Sequence, residues 1–238
     1  MYLVIYMDRL DKVISSQTEY SRGDVKKLLK LGVITVNGEI VSKPNVYVDV
    51  NNDIICVDDI KIDYKKYVYL VLNKPKGYIS ATTDGNYPVV VELVPYEYQN
   101  RNIFPCGRLD KDTTGLMILS DDGDFSHNLL SPKKHVSKKY LVEVDKDLDK
   151  SMINDFKEGI KLKDFECKSS ILEIIDNKHC YVTLTEGKYH QIKRMFKSYG
   201  IEVINLKRIS MGKLELPKDL EEGECRELTS DEYNSLFE

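Results

Sequence analysis

Between Val33 and Val41 the chain reads Val-Ile-Thr-Val-Asn-Gly-Glu-Ile-Val, two β-branched runs joined by Asn-Gly. Asn-Gly takes the two left-handed conformations of a tight two-residue turn more readily than other pairs, so this stretch is constrained to a hairpin. Ahead of it, Ser21 is a good cap for a helix running to Leu31, with Val25, Leu28 and Leu29 on one face and Gly32 as its stop. Lys26, Lys27 and Lys30 then point away from the core. An earlier helix over Asp8 to Ser16 spaces Leu10, Val13 and Ile14 at helical intervals. Residues 1–62 therefore read as a small α/β module, and the polar run Asp58 to Lys66 as a linker.

The rest, 67–238, alternates strands and helices without repeats. Tyr67 to Leu72, Gly115 to Leu119, Tyr140 to Val144 and Cys180 to Leu184 read as strands, Asn73 to Gly77 as a turn, and Tyr189 to Tyr199 as a helix. In that helix Ile192, Met195, Phe196 and Tyr199 form one stripe. The expectation is an α+β chain, its second domain (67–238) built on a mixed or antiparallel sheet. With 42% hydrophobic and 31% charged residues in 238, a packed core is within reach and global disorder is excluded. No run nears the ~18 apolar residues of a membrane span. The apolar opening Met1 to Tyr6 stops at Asp8-Arg9, too short for a signal peptide, and Met7 is an alternative start. The five cysteines are scattered without a C-x-x-C pair, which argues against zinc and disulfides and fits a reducing cytoplasm.

The net charge of −4 conceals an uneven distribution. Arg22 to Lys30 holds four cations against Asp24 (+3). Pro132 to Tyr140 holds four lysines and no acid (+4), and Gly187 to Arg208 six cations against Glu202 (+5). Glu215 to Glu238 carries nine acids against Lys218 and Arg226 (−7). Separated basic clusters are the footprint of a polyanion binder, although any one of them alone reads as a solvated face.

The densest polar segment is Gly107-Arg108-Leu109-Asp110-Lys111-Asp112-Thr113-Thr114-Gly115-Leu116. Asp110, Asp112, Thr114, Gly115 and Asp121 match positions 1, 3, 5, 6 and 12 of a calcium loop. Such a loop wants a glutamate at position 12 and flanking helices, whereas Pro105 and Gly107 bar an upstream helix and Leu116 to Leu119 is strand-like. The plain alternative is a polar turn in which Asp110 and Thr113 bond the local backbone. His127, His135 and His190 lack metal-ligand spacing.

Four blocks, Leu70 to Tyr78, Gly107 to Leu116, Ser137 to Val142 and Glu186 to Phe196 ("EGKYHQIKRMF"), resemble in order and spacing the small-ribosomal-subunit pseudouridine synthase A family (the Rsu type). The first ~60 residues, with "RLDKVI", "SR" opening a lysine-bearing helix and "GVITVNG", resemble the alpha-L RNA-binding motif of the ribosomal protein S-four type. The residues before Met7 depart from that pattern.

The resemblance implies an isomerase that breaks a uridine N1–C1′ bond, turns the base and rejoins it through C5. Such a reaction needs no redox cofactor and no metal. Asp110 takes the role of the essential carboxylate. It either adds to C1′ or takes the C2′ proton to give a glycal, and residue types do not choose between them. Tyr140 lies against the target uracil and helps remove the C5 proton. Lys193 pairs with Asp110 and keeps it ionised, with Arg194 as a competing partner. Asp112 serves as a turn or cap. Arg108 fills the space left by the flipped nucleotide or touches its phosphate. Lys74 and Lys76 contact the phosphate backbone, as do Arg9, Lys12, Arg22, Lys26, Lys27 and Lys30 in the first module.

The implied partner is small-subunit ribosomal RNA, free or in a partly assembled particle, and the implied protein is a cytoplasmic monomer without a membrane partner. Three readings compete: a synthase acting on large-subunit RNA, a non-catalytic RNA-binding assembly protein, and a nucleosidase releasing free base. The presence of Asp110, Tyr140 and Lys193 argues against the second, and the RNA-binding module against the third.

Overall fold

The computed structural model describes residues 6–131 and 134–238. The opening Met1 to Ile5, and Lys133 of the second basic cluster, lie outside the described residues. The chain divides into two compact units, one running to Val68 and including Val94–Ile103, the other comprising Tyr69–Leu93 and Phe104–Glu238.

In the first unit, β1 (Met7–Arg9) leads into α1 (Leu10–Gln17) and α2 (Arg22–Leu31). These are followed by β2 (Ile34–Val36), β3 (Glu39–Ile40), β4 (Tyr47–Asp49), β5 (Ile55–Val57) and β6 (Ile60–Lys61). The sheet order is β3-β2-β5-β6, while β1 pairs with β4. Asp8 and Arg9, expected in a helix, are in β1. The β2–β3 turn has Asn37 and Gly38 at φ 54° and 83°, the two left-handed residues its sequence demands. Ser21 accepts the Asp24 N–H, and Gly32, at φ 73°, closes α2 with its N–H bonded back into the last turn. Leu10, Val13, Ile14, Val25, Leu29, Ile34 and Val48 form the core. The expected linker is partly structured: Asp58 and Asp59, both at positive φ, turn β5 into β6. Val94–Ile103 returns to this unit, where Arg101 donates to the carbonyls of Ser16, Lys65 and Lys66.

The second unit contains β7 (Tyr69–Lys74), β8 (Phe104–Pro105), β9 (Thr114–Ser120), α3 (Gly123–Leu130) and β10 (Lys138–Val144). It continues with α4 (Met152–Glu158), β11 (Ile171–Ile174), β12 (His179–Leu184), α5 (Gln191–Lys197), β13 (Val203–Met211), β14 (Leu214–Glu215), β15 (Cys225–Glu227) and α6 (Ser230–Ser235). Its sheet runs β11-β12-β10-β13-β9-β7-β15, with β14 beside β13 and β8 beside β9. Every pairing is antiparallel except β9 with β13, so the sheet is mixed and the fold is α+β. Asn73 and Lys74 belong to β7 rather than to the expected turn. The acidic end of the chain is built in: Leu220 and Leu236 enter the core, and Arg226 makes a forked pair with Glu232, the residue that also completes the capping box of α6. No helix among the described residues is long and apolar enough to cross a membrane.

The parallel strand pairing, β9 against β13, is close. A Cβ on Gly115, whose φ is 96°, would lie 2.2 Å from the Arg208 carbonyl oxygen. Gly115→Ala is therefore expected to destabilise the fold by about 3 kcal/mol or more, roughly 6–12 °C in Tm. A calorimetric scan checks this, and an unchanged Tm would refute the close approach.

Candidate active site

Between β8 and β9 the segment Gly107 to Thr113 forms a loop pinned from several sides. Ser80, 4% exposed, donates to the Leu109 carbonyl and accepts the Leu109 N–H at 2.8 and 2.9 Å. Gly77 N–H donates to the Lys111 carbonyl, and Thr113 N–H to that of Asp110. Lys74, fully buried, donates to the carbonyls of Pro75, Lys111 and Thr113 at 3.1, 3.2 and 2.8 Å. Burial lowers the Lys74 amine to about 8, which leaves it an ammonium at neutral pH. Lys74 therefore supports the loop from inside and cannot reach a phosphate, contrary to the expectation for it.

Asp110 stands at the wall of a cavity of about 360 Å³ shared with Arg108, Tyr140, His190, Lys193 and Leu206. Its Oδ2 is 3.7 Å from Lys193 Nζ and its Oδ1 3.5 Å from His190 Nε2. Lys193 does pair with Asp110, but its tighter partner is Asp112, both of whose carboxylate oxygens lie at 2.8 Å. Burial works to raise the Asp112 carboxyl, and the Lys193 hydrogen bond and charge override it, leaving it below the usual carboxylate range. Asp112 is thus an ion-pair partner, not merely a turn residue. Arg194, one position on and about 100° around α5, faces away: it pairs with Asp164 and lies over the Phe165 ring. It is not a partner of Asp110.

Tyr140, 8% exposed, sits on β10 opposite Arg208 of β13, the ring lining the cavity. Arg208 is itself buried and donates through Nε to the Leu116 carbonyl at 2.6 Å. Burial, with the Arg208 charge adding to it, lowers the neighbouring Lys138 to about 8. Arg108 is exposed and makes no ion pair among the described residues.

The basic clusters resolve unequally. Lys138 is half-buried, Lys139 pairs with Glu173 at 2.6 Å, and Lys193, Arg194 and Lys197 all have carboxylate partners. In the first unit Arg9 is forked to the buried Asp11, Lys12 is held by Asp8 and Lys27 by Asp24. Arg9 is held in place by this fork, with its guanidinium still partly exposed. Arg22, Lys26 and Lys30 are exposed on α2 without an ion pair among the described residues.

A carboxylate between a lysine ammonium and an imidazole, a phenol ring in the same cavity and a separate helix–hairpin unit fit a pseudouridylate synthase with an appended RNA-binding module. The profile described as RNA pseudouridylate synthase matches residues 68–198, and that of the S4 domain matches residues 8–54. The chain belongs to the RNA pseudouridylate synthase family. It is 40% identical to an uncharacterized RNA pseudouridine synthase, YtzG, of Bacillus subtilis, over 97% of this chain and 98% of that one. It is 36% identical to the ribosomal small subunit pseudouridine synthase A of Haemophilus influenzae (96% and 99% covered) and likewise 36% identical to that of Escherichia coli. A crystal structure of a pseudouridylate synthase superposes with a TM-score of 0.68 at 36% identity, covering 96% of this chain and 99% of that one.

The site also includes side chains that sequence reading did not select: His190, Asp112, Ser80 and Arg208. For Asp112 and His190 a signal existed. Each lies within three residues of a residue chosen for the site: His190 lines the cavity, and Asp112 holds Lys193.

Proposed function

We propose that this chain isomerises a uridine of small-subunit ribosomal RNA to pseudouridine, acting in the cytoplasm as a monomer. The observation that carries the reading is Asp110, held within 3.7 Å of the Lys193 ammonium and the His190 ring in a cavity that Tyr140 lines. Breaking N1–C1′ develops positive character at C1′, which an ionised carboxylate stabilises or captures. Asp110 attacks C1′ or removes the C2′ proton, and the uracil leaves as an anion and turns; its C5 then bonds to C1′ as the Asp110–C1′ bond breaks, or as Asp110 returns the proton to C2′ of the glycal. The C5 proton is then lost, with Tyr140 beside the base. C1′ and C5 must both be reached, so the nucleotide leaves its stack, and Arg108 stands exposed at the cavity edge to replace it. Incubating in vitro transcribed ribosomal RNA with the protein, followed by carbodiimide labelling and primer extension, should give a new stop on the small-subunit transcript. A stop only on the large-subunit transcript would favour the alternative synthase, and none on either would overturn the reading.

In this reading α2 supplies phosphate contacts through Arg22, Lys26 and Lys30. Lys26→Glu with Lys27→Glu is expected to weaken binding and to lower the slope of log K against log salt by about 1 or more. Unchanged affinity across a salt series would show that this helix face is merely solvated.

A further inference from the structure

Tyr189 is 76% exposed, although it borders the cavity of Asp110. Its ring stacks on His190 with centroids 3.8 Å apart and planes 18° from parallel, and His190 in turn reaches Asp110. The loop is held. Gln191, 4% exposed, accepts the Lys188 N–H at 3.0 Å and donates to Glu186 at 2.7 Å, while Glu186 accepts the Lys168 N–H at 2.9 Å. His190 turns the chain at φ 49° just before α5, which starts two residues later than its sequence pattern implies. One face of the Tyr189 ring is covered by an imidazole and the rest is left in water by a fixed backbone.

We propose that the open face of Tyr189 is a stacking platform for the nucleobase next to the target uridine in the RNA strand. The inference rests on reading the cavity as the uridine site. A strand that delivers one base into the cavity must carry its neighbour past the rim, where this ring stands. Lys188 and Arg108 line the same cavity and make no ion pairs among the described residues, so the rim suits a polyanion. Every base presents a π-face, so the platform holds the strand without reading its sequence.

The test uses the full chain carrying Asp110→Asn and a fluorescently labelled small-subunit transcript. Adding Tyr189→Ala should weaken binding about 10- to 100-fold, while Tyr189→Phe stays within about threefold. The salt slope should be the same for all, because no phosphate contact is lost. Equal affinity of Tyr189→Ala and its parent, a Tyr189→Phe as weak as Tyr189→Ala, a changed slope, or no affinity in the parent would each overturn the platform. A wild-type chain that binds the transcript without converting any uridine would instead overturn the reaction and leave the platform to be judged by these affinities.

Discussion

Asp110→Asn is expected to lower pseudouridine formation by roughly 10⁴-fold or more while leaving RNA affinity within about threefold. The substitution removes one negative charge at nearly constant volume. The side chain is partly exposed, so no deep cavity forms and no buried group is orphaned. Lys193 keeps its closer contacts to Asp112 at 2.8 Å and so remains in place. The loop is pinned at Leu109, Lys111 and Thr113 by backbone atoms, none of which involves the Asp110 carboxylate. Fold and binding should therefore survive, and only chemistry at C1′ should fail. Release of tritium from RNA labelled at uridine C5 reports the reaction, and filter binding reports affinity. A variant that retains more than about a hundredth of wild-type activity would remove Asp110 from the reacting centre.

Much of this site was legible in the sequence, and the parts that were not share a cause. The Asn37-Gly38 hairpin, the strand Thr114–Ser120 and the stripe Ile192, Met195 and Phe196 depend on local pattern, and each appears where the pattern puts it. The pairing of charges depends on what lies across a gap. Lys193 and Arg194 are neighbours in sequence, yet α5 turns one toward Asp112 and the other toward Asp164, and nothing in the helix itself says which acid stands on which side. Of the basic run ending in Lys138-Lys139, Lys138 is half-buried and Glu173 of β11 meets Lys139, so not all of the charge counted along the chain is offered at the surface. Charge counted along a chain predicts a surface potential only when neighbouring strands do not cancel it.

Lys74 is the sharpest such case, and its replacement is the second large effect. Before Pro75 and Lys76 it looks like a solvated turn, but β7 carries it into the sheet, where its ammonium reaches three carbonyls of the loop region. Lys74→Met keeps the length and removes the donors. The Lys111 and Thr113 carbonyls lose this buried donor at about 1–3 kcal/mol each, so a net loss of a few kcal/mol is expected. Activity should fall about 100-fold, because Lys111 and Thr113 flank Asp112 and set where Asp110 points. Titration separates this from a generic core defect. The folded protein releases the Lys74 proton near pH 8 and the unfolded chain near 10.5, so in that window the unfolded chain binds more protons and the Lys74 contribution to stability rises with pH. The methionine variant lacks this term. Urea unfolding at pH 7 and pH 9.5 should therefore show the gap between wild type and Lys74→Met widening by roughly 2 kcal/mol at the higher pH. A gap that is constant or narrows would mean that burial does not lower the Lys74 amine, and that the three carbonyls fully offset its desolvation.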